Sequence, residues 1–339
     1  MEKIKKIIPG FIVCFSIAMI SKGIAVFLPS LGAATFAIFL GIILGNTVFT
    51  KEVYNSGSKF SESNLLAYSV VLMGASLNLM DIASVRINGV IFIIIQMTLT
   101  ICVTYFIGRK LKFNKKFSLL MSAGNAVCGS SAIASTAPVI DGDSKDKALS
   151  ITMVNITGTI LMFVLPILSG FLYNKEVLQS SALTGGILQS VGQVIASAKF
   201  ISDDVVEMAT IFKIIRIIMI VAVVIVFSKF NTNENESLFV KKEKSNEGKV
   251  KVSVPWFIIG FFILSIINSL GFIPVSFAKG AKFISGQFEI IALAAIGMRV
   301  KFKDLKEEGA ISLIYGCLVG LCQIIIAMLL IKILGVGMQ

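Results

Sequence analysis

Two basic side chains interrupt an apolar stretch, ATIFKIIRIIMIVAVVIVF at 209–227. Lys213 and Arg216 are three positions apart, so in a helix they share one face. Cations at membrane depth are costly and usually mark a functional path or a buried pair. A small oxyanion would suit them as a ligand, because arginine forks onto oxygens and lysine adds a point charge. The alternative is that both side chains snorkel to the external headgroups.

A second stretch, GNAVCGSSAIASTAPVI at 124–140, is unusually polar for its apolar surroundings. Backbone at membrane depth can leave the helical ladder only where it faces protein or a water-filled cavity. A half-helix that starts at such a break aims N–H groups and partial positive charge at the cavity, which suits an anion. Packing of small residues between helices is the alternative. The residues that could contact a ligand here are Asn125, Gly129, Ser130 and Ser131.

The stretch TGGILQSVGQVIASA at 184–198 has the same character and predicts another break near 184–193. Gln189 and Gln193 are four positions apart and would share a helical face. Both amides could contact the ligand or form hydrogen bonds between helices, and the sequence favours neither role.

Composition indicates the elements that must hold these residues. The chain of 339 residues has a mean hydropathy of +0.91 and 15% charged residues, whereas a soluble domain carries about 25%. The fold class is therefore an all-α membrane protein with about 11 transmembrane helices. We predict spans at 7–28, 31–50, 62–80, 87–108, 117–139, 147–172, 178–199, 207–227, 254–270, 282–299 and 309–333.

The net charge of +12 does not require nucleic acid as a partner. With the N-terminus in the cytoplasm, 21 Lys and Arg fall in cytoplasmic loops and 6 in external ones. This asymmetry follows the positive-inside rule and predicts a multi-pass protein of the bacterial cytoplasmic membrane, with the lipid bilayer as its partner. The chain has no histidine and shows no nucleophile–base set. We therefore expect no enzyme, no metal site and no cofactor.

The organisation predicted from the sequence has three parts. Residues 1–227 form a transmembrane bundle with breaks near 124–131 and 184–193, 228–253 form a flexible cytoplasmic linker, and 254–339 form a C-terminal transmembrane segment. GASLNLMDI at 74–82 matches GMRVKFKDL at 297–305 with a constant offset. The two copies would face opposite sides of the membrane, as in the inverted repeats of secondary transporters. A chance match between two short amphipathic loops is the alternative.

Several stretches together resemble the YeiH-like sulfate exporter family of bacterial membrane proteins. They are the stretch at 124–140, VGQVIASA at 191–198, FKIIRI at 212–217, PWFIIGFFILSIINSLGFIP at 255–274 and IIALAAIGMRVKFKDLKEEG at 290–309. The resemblance spans nearly the whole chain in the right order. It departs at 187–190, where the family reads like SIHE and this chain reads ILQS.

The resemblance implies the fold group of sodium/bile-acid symporters and NhaA-type antiporters. That group has inverted repeats, discontinuous crossing helices, a scaffold bundle and a core bundle that moves as an elevator. It also implies a homodimer.

We expect a secondary transporter that moves sulfate, sulfite or a related sulfur oxyanion by alternating access. Gly129, Ser130 and Ser131 would supply donors to the anion, Lys213 and Arg216 its charge partners, and the three amides its orientation. The alternatives are a passive anion channel, a membrane sensor, or a sodium-coupled transporter of a small organic solute.

Overall fold

The computed structural model describes residues 2–27, 32–76, 85–234, 236–238, 255–300 and 310–337. Throughout these residues the regular structure is helical, without a β-strand. Within these ranges, six helical segments are long and apolar enough to cross a membrane, and two shorter apolar helices accompany them. The α-helices are α1 (Glu2–Phe27), α2 (Gly32–Thr47), α3 (Asn55–Phe60), α4 (Leu66–Gly74), α5 (Arg86–Lys110), α6 (Lys115–Ala126), α7 (Ser130–Thr136), α8 (Ser144–Tyr173), α9 (Val177–Ile187), α10 (Val191–Lys199), α11 (Asp203–Ile218), α12 (Ile220–Ser228), α13 (Trp256–Ser269), α14 (Val275–Arg299) and α15 (Ala310–Ile333).

The chain divides into two compact units. Unit 1 contains Met1–Ser84 and Pro255–Leu305, and unit 2 contains Val85–Val254 and Lys306–Gln339. This division differs from the one predicted at 228–253, because each unit takes one segment from either side of that linker.

Helices of unit 1 approach one another through glycines. A Cβ atom on Gly41 would lie 2.4 Å from the carbonyl oxygen of Ala294, and one on Gly297 would lie 2.3 Å from that of Ile38. Small residues allow such close backbone contact between apolar helices. Gly74 faces the carbonyl of Phe261 in the same way, at 2.4 Å. Gly74 and Gly297 open the two predicted repeat copies, whose residues 77–82 and 301–305 lie outside the described part.

In unit 2, α6 and α7 form a hairpin, which we call the first hairpin. Asn114 begins it by capping α6, where its side chain accepts a hydrogen bond from Phe117 N at 2.6 Å. At the return end, Lys116 Nζ donates to Asp141 O at 2.7 Å. Asn114 Nδ2 also donates to Asp146 in the first turn of α8, at 2.9 Å. Entry and return therefore lie at the same end of unit 2.

Helices α9 and α10 form the second hairpin. Ser181 in α9 lies beside Val205 at the start of α11, with Ser181 Oγ 3.4 Å from Val205 O. One turn further along, Gly185 lies against the carbonyl of Ala209. Helices α9 and α11 thus run in the same direction from the same end, so α10 must run back between them. The spans predicted at 117–139 and 178–199 do not cross from one end to the other, and the expectation of crossing discontinuous helices is wrong for both.

The two hairpins open at opposite ends of unit 2. Helix α8 joins the return end of the first hairpin to the entry end of the second, and its 30 residues span about 45 Å. The chain passes back along α11 and α12. Beyond α12, Lys115 Nζ donates to Glu236 O at 2.6 Å, and Arg109 pairs with Glu234 at 2.8 Å. The beginning of the predicted linker is thus held at the entry of the first hairpin.

Candidate functional site

The tips of the two hairpins meet at one point inside unit 2. Helix α6 ends at its C-cap Val127, and α9 ends at its C-cap Leu188. The last carbonyls of a helix receive no hydrogen bond within that helix, so their donors must come from other parts of the protein. Lys213 supplies donors to both C-caps: its Nζ lies 2.6 Å from Val127 O and 2.8 Å from Leu188 O.

Arg216 lies one turn further along α11 and also joins the two hairpins. Its side chain is 1% exposed, and that of Lys213 is 0% exposed. The guanidinium donates to two carbonyls of each hairpin: Ala126 O at 3.1 Å, Asn125 O at 2.9 Å, Gly185 O at 3.0 Å and Leu188 O at 2.8 Å. Both cations are bound to backbone inside the fold, so the snorkelling alternative is wrong.

Helix ends explain how unit 2 tolerates these two charges. The C-terminus of a helix carries a partial charge of about −0.5, so two such ends offset roughly one of the two positive charges. Among the described residues no carboxylate lies within ion-pair distance of Lys213 or Arg216. With both side chains protonated, the tips therefore keep a net positive charge.

Two of the three predicted amides are hydrogen-bonded to each other beside the cations, and the third caps α10. Gln189 Nε2 donates to Asn125 Oδ1 at 3.1 Å, and Asn125 Nδ2 donates to Met121 O at 2.9 Å. Gln193 forms a capping box with Ser190: Ser190 N donates to Gln193 Oε1, and Gln193 N donates to Ser190 Oγ, both at 3.1 Å. Gln189 and Gln193 thus fix the tip and the start of α10.

Gly129 and the two serines follow the C-cap of α6 at the first tip, where the glycine is buried and the serines are exposed. Gly129 has a φ of +66°, a conformation that favours glycine. Ser130 and Ser131 are exposed, and Ser131 Oγ lies 2.8 Å from Cys128 Sγ. The structure therefore brings all eight predicted residues to the two tips and the adjoining face of α11, with the cations buried and the serines exposed.

Sequence reasoning missed two amides and one glycine at the same point. Gln323 of α15 donates to Asn125 O at 3.1 Å, and Gln96 of α5 donates to Gln323 O at 3.0 Å. A Cβ atom on Gly158 of α8 would meet Gln193 Oε1 at 2.4 Å and Gln189 Oε1 at 2.5 Å. An isolated amide inside an apolar helix was the available signal for the two glutamines, whereas nothing in the sequence separates Gly158 from other glycines.

The two hairpins have matching internal spacing. Their C-caps, Val127 and Leu188, are 61 positions apart, and so are their N-caps, Gly129 and Ser190. Within the described ranges, no group of three or more His, Cys, Asp or Glu could hold a metal ion. The chemistry that this arrangement offers is recognition of charge and hydrogen-bond pattern.

Fold and site together define an all-helical membrane protein in which two opposed hairpins meet around buried cations. The chain belongs to the family described as Conserved hypothetical protein 698, whose model matches residues 9–316. It is 59% identical to a UPF0324 membrane protein of Clostridium perfringens over 98% of each chain. A UPF0324 membrane protein of Lactiplantibacillus plantarum is 46% identical over 98% of this chain and 99% of its own. One from Lactococcus lactis is 43% identical over 97% of this chain and 99% of its own.

Proposed function

We propose that this protein is a secondary transporter that moves a small oxyanion, such as sulfite or sulfate, across the bacterial cytoplasmic membrane. The observation that carries the proposal is the pair Lys213 and Arg216, buried where two hairpins from opposite ends meet. Irregular backbone at membrane depth typically lines a ligand site in transporters.

Charge favours an anion over a cation as the ligand. The two tips keep a net positive potential after the helix ends are taken into account. The starts of α7 and α10 add the positive ends of two further helices at the same tips. In a low-dielectric interior this potential repels a cation and attracts an anion. A sodium ion is therefore disfavoured at the tips, which argues against the alternative of a sodium-coupled solute transporter that binds sodium there.

The two cations would act on the anion through their electric field and by holding the two tips in position. Four carbonyls already accept hydrogen bonds from Arg216, and two from Lys213. Direct contacts would come from N–H groups at the start of α10 and from the hydroxyls of Ser130 and Ser131. This revises the expectation that the two cations themselves grip the anion.

Alternating access would follow from hairpins that open at opposite ends. Unit 2, which holds the whole candidate site, would be the core bundle, and unit 1 the scaffold. An inverted repeat, with one hairpin entering from each end of unit 2, is part of this proposal. The cytoplasmic N-terminus and the homodimer remain parts of this proposal.

Counterflow in proteoliposomes tests the proposal. Vesicles loaded with unlabelled sulfite or sulfate receive a trace of the same anion labelled with ³⁵S. A carrier accumulates the label transiently above its equilibrium level, whereas a channel only equilibrates it. Lys213→Met should abolish the overshoot, and Lys145→Met, which changes an exposed lysine of unit 2, should retain it. Entry without overshoot would support the channel alternative, and no entry of either anion would refute the anion proposal.

A further inference from the structure

The amide of Gln189 has one orientation that its neighbours allow. Met121 O can only accept a hydrogen bond, so Asn125 must turn its Nδ2 towards that carbonyl. Asn125 Oδ1 then faces Gln189 and requires a donor, which is Gln189 Nε2. The remaining atom of the amide, Gln189 Oε1, is therefore an acceptor by elimination.

That oxygen has no hydrogen-bond partner, although Gln189 is only 1% exposed. A buried polar atom without a partner costs about 1–3 kcal/mol and calls for an explanation. Gln189 Oε1 packs closely against Gly158 beside the amide of Gln193, since a Cβ atom on that glycine would lie 2.5 Å from it. An unpaired, buried acceptor thus lies at the tip that we propose as the anion site.

N–H donors at the start of α10 follow this acceptor closely in the chain. Gln189 directly precedes Ser190, the N-cap of α10. Gln193 N is taken up by the capping box, whereas the N–H groups of Val191 and Gly192 have no acceptor within their own helix. A ligand here would meet several N–H donors, the field of the cations and one carbonyl-type oxygen.

On the basis of the proposed function, we infer that Gln189 selects an oxyanion that keeps an O–H group, such as hydrogensulfite, over a fully deprotonated one such as sulfate. The O–H of the first donates to Gln189 Oε1. An oxygen of the second turns a lone pair towards that acceptor and leaves it unsatisfied. Sites built to hydrogen-bond a ligand O–H reject analogues that lack it, because a buried group is then left unpaired.

Isothermal titration of the purified protein with phosphate and sulfate tests the inference. Both probes are tetrahedral and of similar size, and at neutral pH only phosphate carries an O–H. Wild type should bind phosphate about tenfold more tightly or better, from the cost of one unsatisfied acceptor. Gln189→Met should bind both anions about equally. Gln179→Met makes the same substitution at a half-buried glutamine near the start of α9, away from the tips, and should keep the preference.

A measurement on the wild-type protein alone tests the inference even if Gln189→Met does not fold. Affinity for sulfite should fall as pH rises through the range in which hydrogensulfite loses its proton, whereas affinity for sulfate should not follow that course. The sulfate series controls for effects of pH on the protein itself. Equal affinity for phosphate and sulfate in wild type, or a preference that survives in Gln189→Met, would overturn the inference alone. Binding of none of the three anions would overturn the proposed function as well.

Discussion

Replacing either of two glycines of α8 with alanine should change the free energy of unfolding, in opposite directions at the two positions. A Cβ atom on Gly158 would lie 2.4 Å from Gln193 Oε1 and 2.5 Å from Gln189 Oε1. Ordinary contacts of this kind begin at 3.4 Å, so both amides must retreat by about 1 Å. A Cβ atom on Gly170 would have no neighbour within 4 Å.

Retreat of the two amides breaks the hydrogen bonds that hold the second tip. Gln189 would lose Asn125, and Gln193 would lose Asn155 O and its capping box. At about 1 kcal/mol for each of three bonds, the loss is roughly 3 kcal/mol. Alanine in a helix returns about 1 kcal/mol relative to glycine. Gly158→Ala should therefore lower the free energy of unfolding by about 2 kcal/mol, and Gly170→Ala should raise it by up to about 1 kcal/mol.

The assay can use thiols that the protein already carries. Cys14 and Cys128 are free and buried, so a fluorogenic maleimide reports their exposure on unfolding in detergent. The expected order of unfolding midpoints is Gly170→Ala at or above wild type, with Gly158→Ala below it. Equal midpoints for the two variants would refute the packing argument at Gly158. Binding of phosphate should be lost in Gly158→Ala and retained in Gly170→Ala.

Three further predictions concern topology and the cations. In a cysteine-free background, an impermeant maleimide should label Lys112→Cys and Asp141→Cys from the same side of the membrane and Asn174→Cys from the other side. Labelling of the first two from opposite sides would show that the segment between them crosses the membrane. Lys213→Met should destabilise the protein by about 1–3 kcal/mol, since Val127 O loses its donor, and measured anion affinity should fall with it. Arg216→Lys cannot reach four carbonyls and should cost about 2 kcal/mol on the same thiol assay; a wild-type midpoint would show that charge alone suffices there.

Hydropathy identifies the chain as a membrane protein but does not show which apolar segments cross from one end to the other. Residues 115–136 and 177–199 are each as long as a membrane-crossing helix, and length with apolarity is all that hydropathy measures. Contacts distant in sequence decide the direction, such as that of Lys116 with Asp141. The distribution of basic residues does not settle it either. Returning the first hairpin moves Lys145 and Lys147 to the side of 109–116, which agrees with the positive-inside rule equally well.

The sequence indicates where the candidate site lies, because buried cations are costly, but it does not indicate which groups the two cations contact. Lys213 and Arg216 stand out because cations are rare at membrane depth. Their partners are backbone carbonyls, which every residue carries and which therefore leave no signal in the sequence. Gln189 was recognised as a possible ligand group, but the orientation of its amide depends on Met121 O, a contact that only the fold supplies.

The carbonyls at the tips also impose an order on the making of the protein. The first tip is synthesised 86 residues before Lys213, and the second tip 25 residues before it. Until α11 emerges, the carbonyls of both tips lack their donors, and exposing them to hydrocarbon would cost several kcal/mol each. Nascent hairpins must therefore wait where water or the insertion machinery can solvate them. Arrival of α11 then supplies donors to both tips at once, so the helix that brings the two cations also lets the two hairpins settle into the bilayer.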